Sequence, residues 1–199
     1  MAKQGLLVVI SGPSGAGKGT IVHELLAQDR NLCVSVSATT RSPRPGEVDG
    51  THYYFMDKAK FTQLVETDGM LEHAVYCDNF YGTPRGPVDA ARAAGRDVIL
   101  EIEVQGAMQI KQKCPDCITI FILPPSREVL EKRLRDRGTE DEATVQKRMS
   151  QLEREIAAAA QYDFSVVNGA LEDAVADVQA ILRAMHCRTA PEWTQLSFE

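Results

Sequence analysis

The sequence predicts a three-layer α/β fold: a parallel sheet between helices, interrupted by a small α+β insertion and a short lid. Three observations predict it. Leu6 to Ile10 is a continuous apolar run that leads into a glycine-rich loop. Further short apolar runs recur at Val98–Leu100, Ile118–Leu123 and Phe164–Val167. Helical stretches separate these runs. Strands covered on both faces read as unbroken apolar segments, and their alternation with helices implies parallel pairing through right-handed crossovers.

Each element has its own local signal. The first helix is expected from Lys18 to Gln28, with Ile21, Val22, Leu25 and Leu26 on one face. Val34 to Ser37 alternates, as a half-exposed strand does. Ser42-Pro43-Arg44-Pro45-Gly46 is a rigid turn. His52 to Met56 is aromatic and strand-like. Asp57 to Thr67 reads as a short helix with Phe61, Leu64 and Val65 inward. From about Ser126 to Arg135 a helix buries Val129, Leu130 and Leu134. Thr139 and Glu142 form a capping box for the next helix. That helix carries Val145, Met149, Leu152 and Ile156 and runs to about Gln161. The expected organisation is a core of residues 1–33, 92–135 and 149–199, an insertion at 34–91, and a lid at 136–148.

Composition bounds the possibilities. A chain of 199 residues buries enough surface to fold as one core with small insertions. A net charge of -6 argues against a nucleic-acid partner, which would favour a basic footprint. No apolar run reaches the ~18 residues that suggest a membrane span. The chain therefore reads as cytoplasmic. Cys114-Pro-Asp-Cys117 lacks the second pair that a metal site would want, so it is expected to be a surface turn.

Chemistry concentrates in a few segments. Gly12-Pro13-Ser14-Gly15-Ala16-Gly17-Lys18 follows a strand and opens a helix, the context of a P-loop. Backbone N–H groups of such a loop cradle phosphates, and the lysine is a charge that can follow a transferred phosphoryl. Gly19 stands where a serine or threonine commonly meets Mg²⁺; Thr20 follows. The metal is then expected to rest mostly on nucleotide oxygens and water. Glu101 and Glu103 end a buried strand, and two-residue periodicity puts both on one side of it. In an open α/β sheet that end faces the ligand crevice. Arg133 falls within the buried stripe of its helix, Arg148 flanks the stripe of the next, and Arg137 lies in the loop between them. Together they form a candidate phosphate clamp. Arg41 and Arg44 flank a rigid Ser42-Pro43 and suit bidentate phosphate contacts, with Tyr53 and Tyr81 as further donors.

Ser37-Ala-Thr-Thr-Arg41-Ser-Pro-Arg44-Pro-Gly-Glu47-Val-Asp-Gly50-Thr-His-Tyr53-Tyr54-Phe55 closely resembles the guanylate kinase signature. Resemblance extends over nearly the whole chain. It includes the Gly12–Lys18 loop, Glu72, Tyr81-Gly82-Thr83, Glu101-Ile-Glu103-Val-Gln105-Gly106, Arg133, Arg137-Gly138-Thr139, Arg148 and Asn168. It implies a P-loop kinase core whose 34–91 insertion binds GMP, and a phosphoryl transfer from ATP to GMP with Mg²⁺. The small-molecule substrates would be ATP and GMP, with no nucleic-acid or membrane partner.

By the same resemblance, Arg41, Arg44, Tyr53 and Tyr81 meet the GMP phosphate, while Ser37, Glu72 and Thr83 meet guanine. Glu101 and Glu103 lie on the GMP side, with Glu101 also reaching the metal through water. Gly12 to Thr20, Arg133, Arg137 and Asn168 hold ATP. Lys18, Arg41, Arg137 and Arg148 are the catalytic cations. The chain departs from many relatives at Glu101 and Glu103, which replace aspartates, and at Gly169 after Asn168. Two other functions compete: a kinase for a different nucleoside monophosphate, and a non-catalytic binding module of the same fold. Glu72 counts against the first and the intact loop against the second. Oligomeric state and the role of the tail from Arg188 to Glu199 are left open.

Overall fold

The computed structural model describes residues 4–136 and 142–188. In chain order the elements are β1 (Leu7–Ser11), α1 (Lys18–Gln28), β2 (Leu32–Val34), β3 (Ala38–Thr39), β4 (Tyr54–Phe55), α2 (Lys58–Glu66), β5 (Met70–Tyr76) and β6 (Asn79–Pro84). They continue as α3 (Arg85–Ala93), β7 (Asp97–Glu101), α4 (Val104–Lys113), β8 (Ile118–Leu123), α5 (Arg127–Asp136) and α6 (Glu142–Ala157). A 3₁₀ turn (Ala158–Gln161), β9 (Phe164–Val167) and α7 (Leu171–His186) complete the order.

The main sheet runs β2-β7-β1-β8-β9 and is parallel throughout. Alternation along β1 explains the layers. Val8 and Ile10 pack with Ile21, Val22 and Leu25 of α1 and with Val175, Val178 and Leu182 of α7. Leu7 and Val9 face the other way, onto Val88 of α3 and Ala107 and Ile110 of α4. Both faces are covered, which is why the strands read as unbroken apolar runs. The helix over Lys18–Gln28 and the strands over Ile118–Leu123 and Phe164–Val167 stand where the sequence predicts them.

A second sheet, β4-β3-β6-β5, occupies the insertion. Its core is Ala38, Phe61 and Met70. Asp57 caps α2, accepting from the Lys60 amide at 2.7 Å, a contact of the kind that satisfies an orphan helix-start donor. The strand expected over Val34–Ser37 is different in the structure. Val34 ends β2, paired with Ile99 in the main sheet, and the second sheet starts only at Ala38.

The β5–β6 hairpin has no strong signal in the sequence. Its two-residue turn puts Cys77 at φ 47° and Asp78 at φ 61°, between the partners Tyr76 and Asn79. Positive φ at both positions is usually announced by Asn-Gly or Asp-Gly, and Cys-Asp carries no such signal.

α5 and α6 form their own cluster of Leu130, Leu134, Val145, Met149 and Leu152. Ile156, expected on the same stripe, is exposed. The capping residue Thr139 and the tail beyond Arg188 lie outside the described residues.

The Cys114–Cys117 segment is a turn with Pro115 and Asp116 exposed, as expected, but its two cysteines are not at the surface. Both are buried beneath the main sheet beside Ile110 and Val98. The bond from the Cys117 amide to the Cys114 carbonyl at 3.0 Å closes the turn between them. Burial raises both thiols, Cys117 to about 11, so the thiolate needed for redox chemistry is scarce. Native protein treated with a thiol reagent should therefore react first at the exposed Cys77 and Cys187. Cys114 and Cys117 should react only after denaturation, as read by peptide mapping.

Candidate active site

β1 lies between β7 and β8, so the chain leaves to opposite sides of it and a crevice opens at its carboxyl end. The glycine loop emerges there. Gly17 sits at φ 90°, and a β-carbon on it would fall 2.3 Å from Asn168 Nδ2. Only glycine allows both the left-handed backbone and that close approach. The Asn168 amide donates to the Ala16 carbonyl at 2.7 Å and so holds the loop from below. Arg133 in turn donates to the Asn168 carbonyl at 3.0 Å.

Gly17 occupies the cap position of α1 without a side-chain cap, and no acid stands in the first turn. The first amides of the helix thus present positive potential to an anion. Lys18 Nζ donates to the carbonyls of Gly12 at 2.6 Å and Pro13 at 3.2 Å, which arches the lysine over the loop. Arg148 of α6 donates to the Ser14 hydroxyl, bringing that helix onto the same loop. A cleft of about 390 Å³ beside it is bordered by Gly15, Gly17, Thr20, Arg133 and Asn168. Arg133 Nη1 is buried there without a partner among the described residues.

Carboxylates gather opposite these cations. Glu101 is the last residue of β7, whereas Glu103 is the cap residue of α4. The strand ends at Glu101, but the Ile102 amide still donates to the Ile10 carbonyl at 3.3 Å and Glu103 keeps an extended backbone. The two groups still meet in space. Burial raises the Glu101 carboxyl, Lys18 opposes that, and Glu103 adds to it. Glu155 of α6 is raised by burial and by Glu103, against Lys18 and Arg148. Glu155 has no sequence signal, since it reads as one more polar position on a helix. A β-carbon at Gly19 would lie 3.6 Å from Glu101 Oε1, so the long side chain reaches the position where other loops carry a hydroxyl.

The second sheet assembles a separate anion site. Arg41 makes a two-pronged pair with Glu47, with both N–O distances 2.6 Å. Its guanidinium lies 5.1 Å from the centre of the Tyr53 ring, which meets Tyr81 edge-on at 6.2 Å. The Arg44 amide donates to Glu47 at 2.7 Å, and its side chain is exposed. Glu47 orients Arg41, a role that motif matching does not single out. Its hydrogen bonds to Arg41 and Arg44 lower the carboxyl to about 2.

Deeper in the same sheet, Glu72 is 6% exposed and accepts from the Thr83 hydroxyl at 2.7 Å. Burial raises its carboxyl. Ser37 is half-buried just before β3, whose Ala38 pairs with Gly82. Arg137 lies outside the described residues.

A phosphate loop at a switch point, cations around it, and a second sheet with its own arginine and buried acceptor define a nucleotide kinase of the P-loop class. Comparison with known proteins narrows the class. The family model "Guanylate kinase" matches residues 4–185. A guanylate kinase of Desulfitobacterium hafniense is 52% identical over 184 residues, covering 92% of each chain. One from Thermus thermophilus is 51% identical, covering 94% of this chain and 84% of the other. The crystal structure of guanylate kinase from Anaplasma phagocytophilum superposes with a TM-score of 0.72 at 34% identity, covering 94% and 89% of the two chains. The chain belongs to the guanylate kinase family and is an ATP-dependent nucleoside monophosphate kinase.

Two outcomes follow from this geometry. Asn168→Ala removes the support under the loop, and should raise the ATP KM about tenfold while costing about 1–2 kcal/mol of stability, read by steady-state kinetics and thermal melting. Glu47 has a folded-state value below its ordinary 4.5, so its contribution to stability is present above pH 4.5 and is lost as pH falls towards about 2. NMR titration should give a Glu47 midpoint near 2, and Arg41→Ala should return it towards 4.5.

Proposed function

We propose that the chain transfers the γ-phosphoryl of ATP to GMP, giving ADP and GDP, with roles divided between the two sheets. The single observation that carries this reading is Glu72: a buried carboxylate bonded to Thr83, set apart from the phosphate loop. Guanine presents N1–H and N2–H₂ donors that one carboxylate accepts together; the Ser37 hydroxyl can donate to O6, while Thr83 donates to Glu72 and holds it for the base. Adenine would leave Glu72 unpaired, and discrimination by such a buried group reaches on the order of 10⁴.

The remaining roles follow from position and charge. Arg41, held by Glu47, binds the GMP phosphate with Arg44, Tyr53 and Tyr81. Residues Gly12 to Thr20 hold the ATP phosphates, and Arg133 and Asn168 border the nucleoside cleft. Lys18, Arg148 and Arg137 stabilise charge on the migrating phosphoryl, with Arg137 assigned on sequence alone. In-line transfer needs such positioning more than covalent chemistry. Glu101 and Glu103 supply hard oxygen donors beside Lys18, which suits Mg²⁺ carried in by the nucleotide. Among the described residues no group of three or more His, Cys, Asp or Glu could hold a metal alone. When bound, Mg²⁺ neutralises phosphate charge; Glu101 would hold it through water.

The core (1–33, 92–135, 149–199), the GMP insertion (34–91) and the lid (136–148) are assigned as units that close on the substrates and exclude water. Cytoplasmic location is part of the same proposal, and the free state of all five cysteines supports it. Among the described residues no helix is long and apolar enough to cross a membrane.

The test is a coupled assay offering GMP, AMP, dTMP and CMP in parallel, with only GMP expected to give ADP rapidly. Comparable turnover of AMP would overturn the reading. In the same assay Arg44→Ala should raise the GMP KM and lower kcat together, by about tenfold or more each.

A further inference from the structure

α4 belongs to the core, yet two of its residues reach β5 of the second sheet. The Gln109 side-chain amide pairs with the backbone of His73. It accepts from the His73 amide at 3.1 Å and donates to the His73 carbonyl at 3.0 Å. This closes the free edge of β5 as a neighbouring strand would. Three residues earlier stands Gly106, which is buried. A β-carbon there would lie 2.8 Å from Glu72 Oε2 and 3.3 Å from its carboxyl carbon.

Glu72 has little room to retreat. Its other oxygen is bonded to Thr83, its backbone is paired opposite Thr83, and the next residue is clamped by Gln109. The backbone at Gly106 is helical, so no special φ calls for glycine. Glycine inside a helix is disfavoured relative to alanine. The missing β-carbon is thus explained by Glu72 and not by the helix itself.

We propose that Gly106 is a positioning residue for base selection: by leaving its β-carbon site empty, α4 sets how far the Glu72 carboxylate reaches towards the base. The same helix starts at Glu103, beside the carboxylates that face Lys18. The core therefore gauges the base site directly and does not leave it to the second sheet alone. This proposal rests on the reading of Glu72 as the guanine acceptor.

A double-mutant cycle tests it. The proteins are wild type, Gly106→Ala, Glu72→Asp and the double variant. Each is assayed with GMP, with IMP (which lacks the N2 amino group) and for its ATP KM. Gly106→Ala is expected to raise the GMP KM about tenfold, narrow the preference for GMP over IMP, and leave the ATP KM within about twofold.

In the Glu72→Asp background the carboxylate is one methylene shorter and clears the new methyl group. There the same substitution should change the GMP KM by less than about twofold. Equal losses in both backgrounds, a matching loss in ATP KM, or no loss in either would overturn the role of Gly106. An unchanged GMP KM in Glu72→Asp would instead overturn the reading of Glu72. Should Gly106→Ala alone fail to fold, the double variant is expected to fold, as read by thermal melting. A double variant that also fails would overturn the proposal.

Discussion

β1 has partners on both edges and packed helices on both faces, and this confinement governs the transfer centre. Val8, Val9 and Ile10 are completely buried, so the strand cannot drift in register or tilt without opening both layers. Its carboxyl end is therefore a fixed point. The loop that leaves it is seated by Asn168 from β9's end, by Leu130 and Leu134 of α5 against Gly15, and by Arg148 from α6. Each support arrives from a different later segment. The loop's amides are held ready for an anion before one binds, which is the condition for electrostatic stabilisation without reorganisation.

Charge is handled in opposite ways at the two ends of the site. Near Lys18, acids are crowded: burial and then the neighbouring Glu103 raise the carboxyls of Glu101 and Glu155, while Lys18 opposes this at both and Arg148 at Glu155. Such mutual repulsion is eased by a cation placed beside the carboxylates. In the second sheet the balance is local. Glu47 grips Arg41 with two hydrogen bonds, so the guanidinium is oriented before it meets a phosphate. Orientation of this kind removes entropy cost from binding.

The two sheets are tied by α4 more than by loops. Gln109 covers the edge of β5, and Gly106 admits Glu72. Lys113 reinforces the tie, donating to the Met70 carbonyl at 2.8 Å. A helix that carries Glu103 at its start and meets the base site further along constrains the distance between the two sites.

Much of this was legible in the residues. The strands buried on both faces, the phosphate loop and the α1 stripe follow from local pattern, because burial on both sides or on one helical face leaves a direct trace in hydrophobic order. Arg133 was readable as inward by its angle on α5, and it does meet Asn168. Other features leave no such trace. The β5–β6 hairpin turns on Cys77-Asp78, residues that do not advertise a positive φ. Cys114 and Cys117 bracket an exposed turn at Pro115 and Asp116, yet both cysteines are buried. Glu101 and Glu103 read as one strand end, but α4 begins directly afterwards, so Glu103 is also its cap residue. Sequence by itself determined the layered fold, the anion loop and the kinase family, since each is written in contiguous residues. Only the tertiary structure decided that Glu47 aims Arg41, that Glu155 joins the carboxylates and that Gly106 sets Glu72. Those relations depend on through-space distances between segments, and a linear pattern of polarity does not encode them.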